Sequence, residues 1–147
     1  MTIALNGVTA LAHLGVIAVE GEDAASFLQG QLTQDFALLG HDQARLAAYC
    51  TAKGRMLASF VGYRPLPAQI LLVTSRDILA QTVKRLSMYV LRSKAKVRDA
   101  SAEFELWGLA GDAARGTAAG EPWKLACEGG SAYATLYPAD EIGRAHV

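Results

Sequence analysis

Residues 46–60 read LAAYCTAKGRMLASF. Two runs that alternate large and small side chains, 44–50 and 55–63, flank a loop of Thr51, Ala52, Lys53 and Gly54, and glycine tolerates the positive φ that such a loop demands. The pattern predicts a β-hairpin whose tip carries Lys53, Gly54 and Arg55. Two readings of that tip stand side by side. The missing side chain of Gly54 would let a ligand approach the backbone while Lys53 and Arg55 attract an anionic group. Equally, a KGR turn is a common way to keep a hairpin tip soluble.

Upstream of the hairpin, LGVIAVE (14–20) suits a buried strand, and Gly21 ends it ahead of a helix over 22–32. Ala24, Phe27, Leu28 and Gln31 or Leu32 recur at helical spacing, and Glu22 and Asp23 occupy the first turn, where the helix dipole favours negative charge. Downstream, RPLP (64–67) breaks the strand pattern, QILLVTS (69–75) restores it, and a helix follows over 76–91. Leu79, Val83, Leu86 and Val90 form its apolar stripe, Thr74 or Ser75 is placed to accept its first amide protons, and Asp77 has a capping-box-like position. Strands are predicted over 94–99 and 102–109, then a short helical stretch near 112–118, and a hairpin of 123–128 and 131–137 around Gly129 and Gly130. The sum is an α+β fold with a mixed, mostly antiparallel sheet.

IAVEGEDAAS (17–26) and LWGLAGDAAR (106–115) each run strand, glycine, acid, paired alanines. This is either a duplicated βα unit or a shared, simple way to start a helix. The final residues, ADEIGRAHV, stop without a turn or cap signal as another strand begins, which reads as the front part of a longer protein.

The 147 residues have the size of one compact domain. Fourteen basic residues balance fourteen acidic ones, so any electrostatic recognition must be local. The apolar start has no basic leader, and Glu20, Glu22 and Asp23 end it too early for a membrane span. Cys50 and Cys127 lack the close pairing of a zinc or dithiol site, and behave as small apolar side chains in a reducing compartment. Histidines 13, 41 and 146 have no partners at metal-ligand spacing, and no GxSxG, HExxH or GxxxxGK[ST] occurs. GLAGDAARG (108–116) is an incomplete phosphate-loop pattern and reads as a strand-to-helix turn. In RSKAKVR (92–98), Arg92, Lys94, Lys96 and Arg98 alternate, so a strand running through all of them would put four cations on one face. That stripe is either an anion-binding surface or a solvated strand face whose lysines discourage edge pairing.

Three segments, VEGEDAASFLQGQLTQD (19–35), LAAYCTAKGRMLASF (46–60) and TVKRLSMYVLRSKAKV (82–97), together resemble in order and spacing the N-terminal part of the YgfZ-type folate-binding proteins. These are relatives of the glycine-cleavage T-protein, an aminomethyltransferase. The resemblance covers residues 10–137 and makes residues 1–147 the N-terminal part of a T-protein-like domain, with a subdivision near residue 100 and the family's C-terminal part absent. It implies ferredoxin-like βα units around a cavity that holds tetrahydrofolate or a one-carbon derivative. It further implies a cytoplasmic accessory protein, working through folate to support iron–sulfur enzymes and, indirectly, tRNA modification, with no membrane partner and no catalytic residue of its own.

On that resemblance Lys53, Gly54 and Arg55 stand at the cavity edge, with Gln31 and Ser59 as further folate contacts. Gln29 and Asp35 are weaker polar candidates, and for them, as for Gln31, a plain helix terminus explains the residues as well. Arg92, Lys94, Lys96 and Arg98 are further cations for folate's anionic glutamyl tail. Two departures matter. T-protein carries acidic residues shortly after its counterpart of this hairpin, whereas this chain reads MLASF, with Ala58 and Ser59. Losing that charge near the reacting nitrogen disfavours aminomethyl transfer while leaving binding possible. The YgfZ-type signature KGCYxGQE, which belongs to the later part of such proteins, is also absent. The rival readings are a folate-dependent aminomethyltransferase and an RNA-contacting module built on the 92–98 stripe.

Overall fold

The computed structural model describes residues 6–115 and 121–136. Its strands are β1 (Gly7–Ala10), β2 (Leu14–Glu20), β3 (Ala44–Cys50), β4 (Met56–Leu66), β5 (Gln69–Ser75), β6 (Lys96–Asp99), β7 (Trp107–Ala110), β8 (Leu125–Glu128) and β9 (Ser131–Ala134); its helices are α1 (Ala24–Gln31) and α2 (Arg76–Ser87). A five-stranded sheet has the order β3-β4-β5-β2-β6, and every pairing among the described strands is antiparallel. Because β5 and β6 both run antiparallel to β2, they run parallel to each other, and β5–α2–β6 is a split βαβ unit with β2 in the gap.

β2 shows no alternation because it is covered on both faces. Ile17 and Val19 join Ile70, Leu72 and Val97 in the main core, which Phe27 and Leu28 of α1 and Leu79 and Leu86 of α2 close from above. Val16 and Ala18 point the other way, into a smaller cluster with Leu71 and Ala100. Gly62 of β4 is small for a stated reason: a Cβ there would come within 2.9 Å of the Phe36 ring.

Several boundaries differ from the sequence expectation. β4 continues through Arg64, Pro65 and Leu66, with a register irregularity between Tyr63 and Leu66, because the Arg64 guanidinium donates to the Pro67 carbonyl at 2.6 and 3.1 Å and so closes the turn into β5. Neither Thr74 nor Ser75 caps α2: the Thr74 hydroxyl donates to the Ser59 carbonyl at 2.9 Å, and the Arg76 amide donates to the His13 carbonyl. The helix stops at Ser87 and is followed by a looser turn. The span 102–109 holds a 3-10 turn at Ser101–Glu103 and only then β7, and a second 3-10 turn at Gly111–Ala113 stands at the start of the helix expected over 112–118. Residues 116–120 and residue 137 of the last hairpin lie outside the described residues.

The echo between 17–26 and 106–115 is a shared way of starting a helical turn. Gly21 (φ +130°) and Gly111 (φ +61°) both redirect a strand. However, β2 is central in the large sheet, whereas β7 pairs with β1 in a two-stranded ribbon, so the two segments have no common topology.

Candidate functional site

The β3–β4 hairpin forms as its sequence requires. Thr51 organises the loop: its amide donates to the Arg55 carbonyl at 2.8 Å, its carbonyl accepts from the Gly54 amide at 2.9 Å, and its hydroxyl accepts from the Arg55 amide at 3.1 Å. Gly54 has φ +82°, and open space lies where its Cβ would be. Lys53 and Arg55, its neighbours in sequence, are exposed, with no ion-pair partner among the described residues. The tip points into solvent.

One step down β4, Ala58 and Ser59 face opposite ways. Ala58 is 4% exposed in the main core, while Ser59 is exposed on the other side of the sheet. A carboxylate at 58 would therefore be buried without a counter-charge, whereas position 59 has room for one. Gln31 ends α1 half-buried, next to the bridge that joins Leu32 to Tyr49 near the hairpin base. Gln29 is exposed, and Asp35 is a structural residue whose carboxylate accepts the amides of Ala37 and Leu38 at 3.0 and 3.1 Å.

The four-cation stripe does not form. Only Lys96 and Arg98 lie in β6; Arg92 and Lys94 precede it in turns. Lys94 pairs with Glu22 at 2.8 Å. Arg98 grips Glu20 with two bonds, at 2.8 and 3.2 Å, and also bonds Glu103. Glu20 of β2, Glu22 just beyond it and Glu103 of the 101–103 turn thus pair with two of the four cations, Lys94 and Arg98. Alternation predicted the face for β6 but could not show which acids the fold brings opposite.

The Arg98 guanidinium, helped by the Gln69 amide, holds the Glu20 carboxyl below its ordinary value of 4.5. A lowered folded value adds stability that is present above the unfolded value and lost as pH falls through the folded one. Glu20→Gln should therefore flatten the acid limb of the stability curve below pH 4.5. Denaturation midpoints across that range check this, and identical limbs in variant and wild type would contradict it.

Two concavities lie elsewhere. A cleft of about 270 Å³ is bounded by Leu11, Gly15, Arg76, Ser101, Phe104 and Trp107. A groove of about 280 Å³ separates Tyr49 and Leu57, at the hairpin base, from Gln81, Lys84, Arg85 and Met88 of α2 and its exit. Lys53, Gly54 and Arg55 line neither. Among the described residues no group of three or more His, Cys, Asp or Glu could hold a metal ion, and no helix is long and apolar enough to cross a membrane. Both cysteines are free, Cys50 half-buried and Cys127 exposed.

The sequence pattern of the GCVT N-terminal domain matches residues 4–120. The chain belongs to the GCVT N-terminal domain family. Its GCVT relatives include the "tRNA-modifying protein YgfZ" of Hamiltonella defensa subsp. Acyrthosiphon pisum, 35% identical over 69% of this chain and 30% of that protein. The protein of the same name from Yersinia enterocolitica is 32% identical over 68% of this chain and 30% of its own. Among solved structures the GCVT fold recurs in the glycine cleavage system aminomethyltransferase T from Bartonella henselae, with a TM-score of 0.69 and 26% identity over 77% of this chain and 31% of that one. The YgfZ-type resemblance and the α+β, mostly antiparallel fold are borne out, and the chain spans about 30% of the length of these relatives.

Within this GCVT chain, sequence reasoning passed over Lys84 and Arg85. They stand in the last turn of α2, where cations favour the helix dipole, and so drew no separate notice. The groove depends on a bulge that the sequence does not announce. Tyr49 pairs with Ala58 but Cys50 with Met56, which leaves Leu57 unpaired and free to line the groove beside Tyr49.

Proposed function

We propose that this chain supplies one wall of a tetrahydrofolate site in an accessory protein that supports iron–sulfur enzymes and, through them, tRNA modification in the cytoplasm. The observation that carries the reading is the hairpin tip: two cations with no ion-pair partner among the described residues, on either side in sequence of a glycine with open space where its Cβ would be, in a chain of the GCVT family. Folate, or a one-carbon derivative of it, presents a flat pterin with a donor–acceptor edge and an anionic glutamyl tail. Lys53 and Arg55 fit the tail and the Gly54 backbone admits close approach; Ser59 and Gln31 lie on opposite faces of the sheet, so one of the two, the Ser59 hydroxyl or the Gln31 amide, meets the polar edge. The apolar enclosure a pterin needs is not formed by these residues, so the second wall would come from elsewhere in the assembled protein.

Binding is favoured over turnover. The bound folate would carry the one-carbon unit, but Ala58 is buried and Ser59 has only a hydroxyl, so neither offers a carboxylate to a developing charge. The aminomethyltransferase reading draws on the likeness to the Bartonella henselae enzyme alone. The RNA-module reading is disfavoured, because Arg92 and Lys94 lie outside β6, so the four cations do not share one strand face, and Lys94 and Arg98 are paired with carboxylates.

Calorimetry with tetrahydrofolate tests the proposal. Lys53→Ala and Arg55→Ala should each weaken binding about tenfold, the effect of losing one charge-assisted contact. Equal affinity in wild type and both variants would remove the hairpin tip from the site.

A further inference from the structure

The groove between the hairpin base and α2 lies on the helix-covered face of the sheet, away from exposed Ser59. Gln81, Lys84, Arg85 and Met88 recur at helical spacing along the solvent side of α2 and form one wall; Tyr49 and the bulged Leu57 form the other. No carboxylate lines it, and neither Lys84 nor Arg85 has an ion-pair partner among the described residues. The segment that leaves α2 beside it carries bulky apolar side chains into solvent: Met88 is 59% exposed, Tyr89 48% and Leu91 85%. Leu91 is also held at φ +47°, a left-handed conformation that non-glycine residues rarely adopt.

Exposed Met, Tyr and Arg beside one another are the composition of a protein-binding patch rather than of a phosphate track. The mode of binding is restricted as well. β3 is the edge strand at this groove, but its outer side is already occupied: Thr33 bonds Ala48 in both directions, the Gln34 amide donates to the Leu46 carbonyl, and the Ala44 amide donates to the Trp123 carbonyl. A partner cannot add a strand there and must be read through side chains, as an amphipathic helix in a groove is. The cations require that helix to be acidic. Among the described residues a second copy of this chain does not offer one, since α1 (AASFLQGQ) has no acidic residue and α2 has only Asp77.

We propose that the Tyr49–Leu57–α2 groove docks an acidic amphipathic helix of a partner protein, with Lys84 and Arg85 pairing with its carboxylates and Met88 meeting its apolar face. This docking is independent of folate binding. The test is fluorescence anisotropy with a labelled peptide of about four helical turns, Leu on one face and Glu on the other. Two controls are the same peptide with Lys in place of every Glu and a single-stranded RNA of matched charge. The acidic peptide should bind about tenfold tighter than the basic one and weaken at high salt. Lys84→Glu with Arg85→Glu, and separately Met88→Asp, should each abolish most of that binding with circular dichroism unchanged, since all three side chains are exposed. Absence of peptide binding, or peptide binding indifferent to these variants, would overturn the proposal. So would RNA binding that the charge reversals remove while the acidic peptide stays unbound.

Discussion

Gly21→Ala is expected to lower the free energy of unfolding by about 3 kcal/mol or more, from backbone strain and a clash that no rotamer relieves. Gly21 turns the chain from β2 into α1 at φ +130°, where an L side chain is strained whatever the space around it. The space is also taken. A Cβ would stand 2.1 Å from the Lys94 carbonyl oxygen and 3.0 Å from Ala95 Cα, and both are backbone atoms that cannot swing aside. The same carbonyl accepts the Asp23 amide at 3.1 Å, while the Asp23 carboxylate accepts the Lys94 amide at 2.8 Å, so moving that segment away breaks the junction that ties the start of α1 to the residues leading into β6. Urea denaturation measures the loss. A variant within 1 kcal/mol of wild type, on the usual scale of surface substitutions, would mean that this junction is loose.

Phe60→Ala should cost about 3 to 5 kcal/mol, the range for emptying a closely packed aromatic site. Phe60 is 1% exposed, lies opposite Ala47 on β3 and belongs to the main core that both helices cover. It is also on the strand that carries Ala58 and Ser59, so the cavity would loosen the hairpin from its base. The expected result is an unfolding midpoint shifted far down with the denaturant slope retained; an unchanged midpoint would contradict the packing described for β4.

The parts of the fold written in local pattern were legible. β2, the β3–β4 hairpin and α2 follow from apolar runs, a glycine at a loop and a stripe at helical spacing, and each forms within a few residues of its expected bounds. The misreadings share a cause: they depended on partners distant in sequence. Thr74 looked like a cap, but its hydroxyl donates across the sheet to the Ser59 carbonyl and accepts no helix amide, and RPLP looked like a break until Arg64 closed it onto Pro67. Arg98 looked like a free cation because nothing in RSKAKVR reveals that Glu20, far upstream, is its pairing partner. The same holds for the site. Exposure of Lys53 and Arg55 follows from their place at a hairpin tip, whereas the groove follows from a bulge at Leu57 that only the register of β3 on β4 exposes.

The central claim is that the hairpin tip meets a reduced folate. The most direct measurement is the backbone amide shift map of this chain on adding tetrahydrofolate. The account predicts that the largest shifts fall at Lys53, Gly54 and Arg55, with smaller ones at Gln31 or Ser59. A map in which these amides stay still at saturating ligand, or in which the shifts gather elsewhere on the chain, would contradict it.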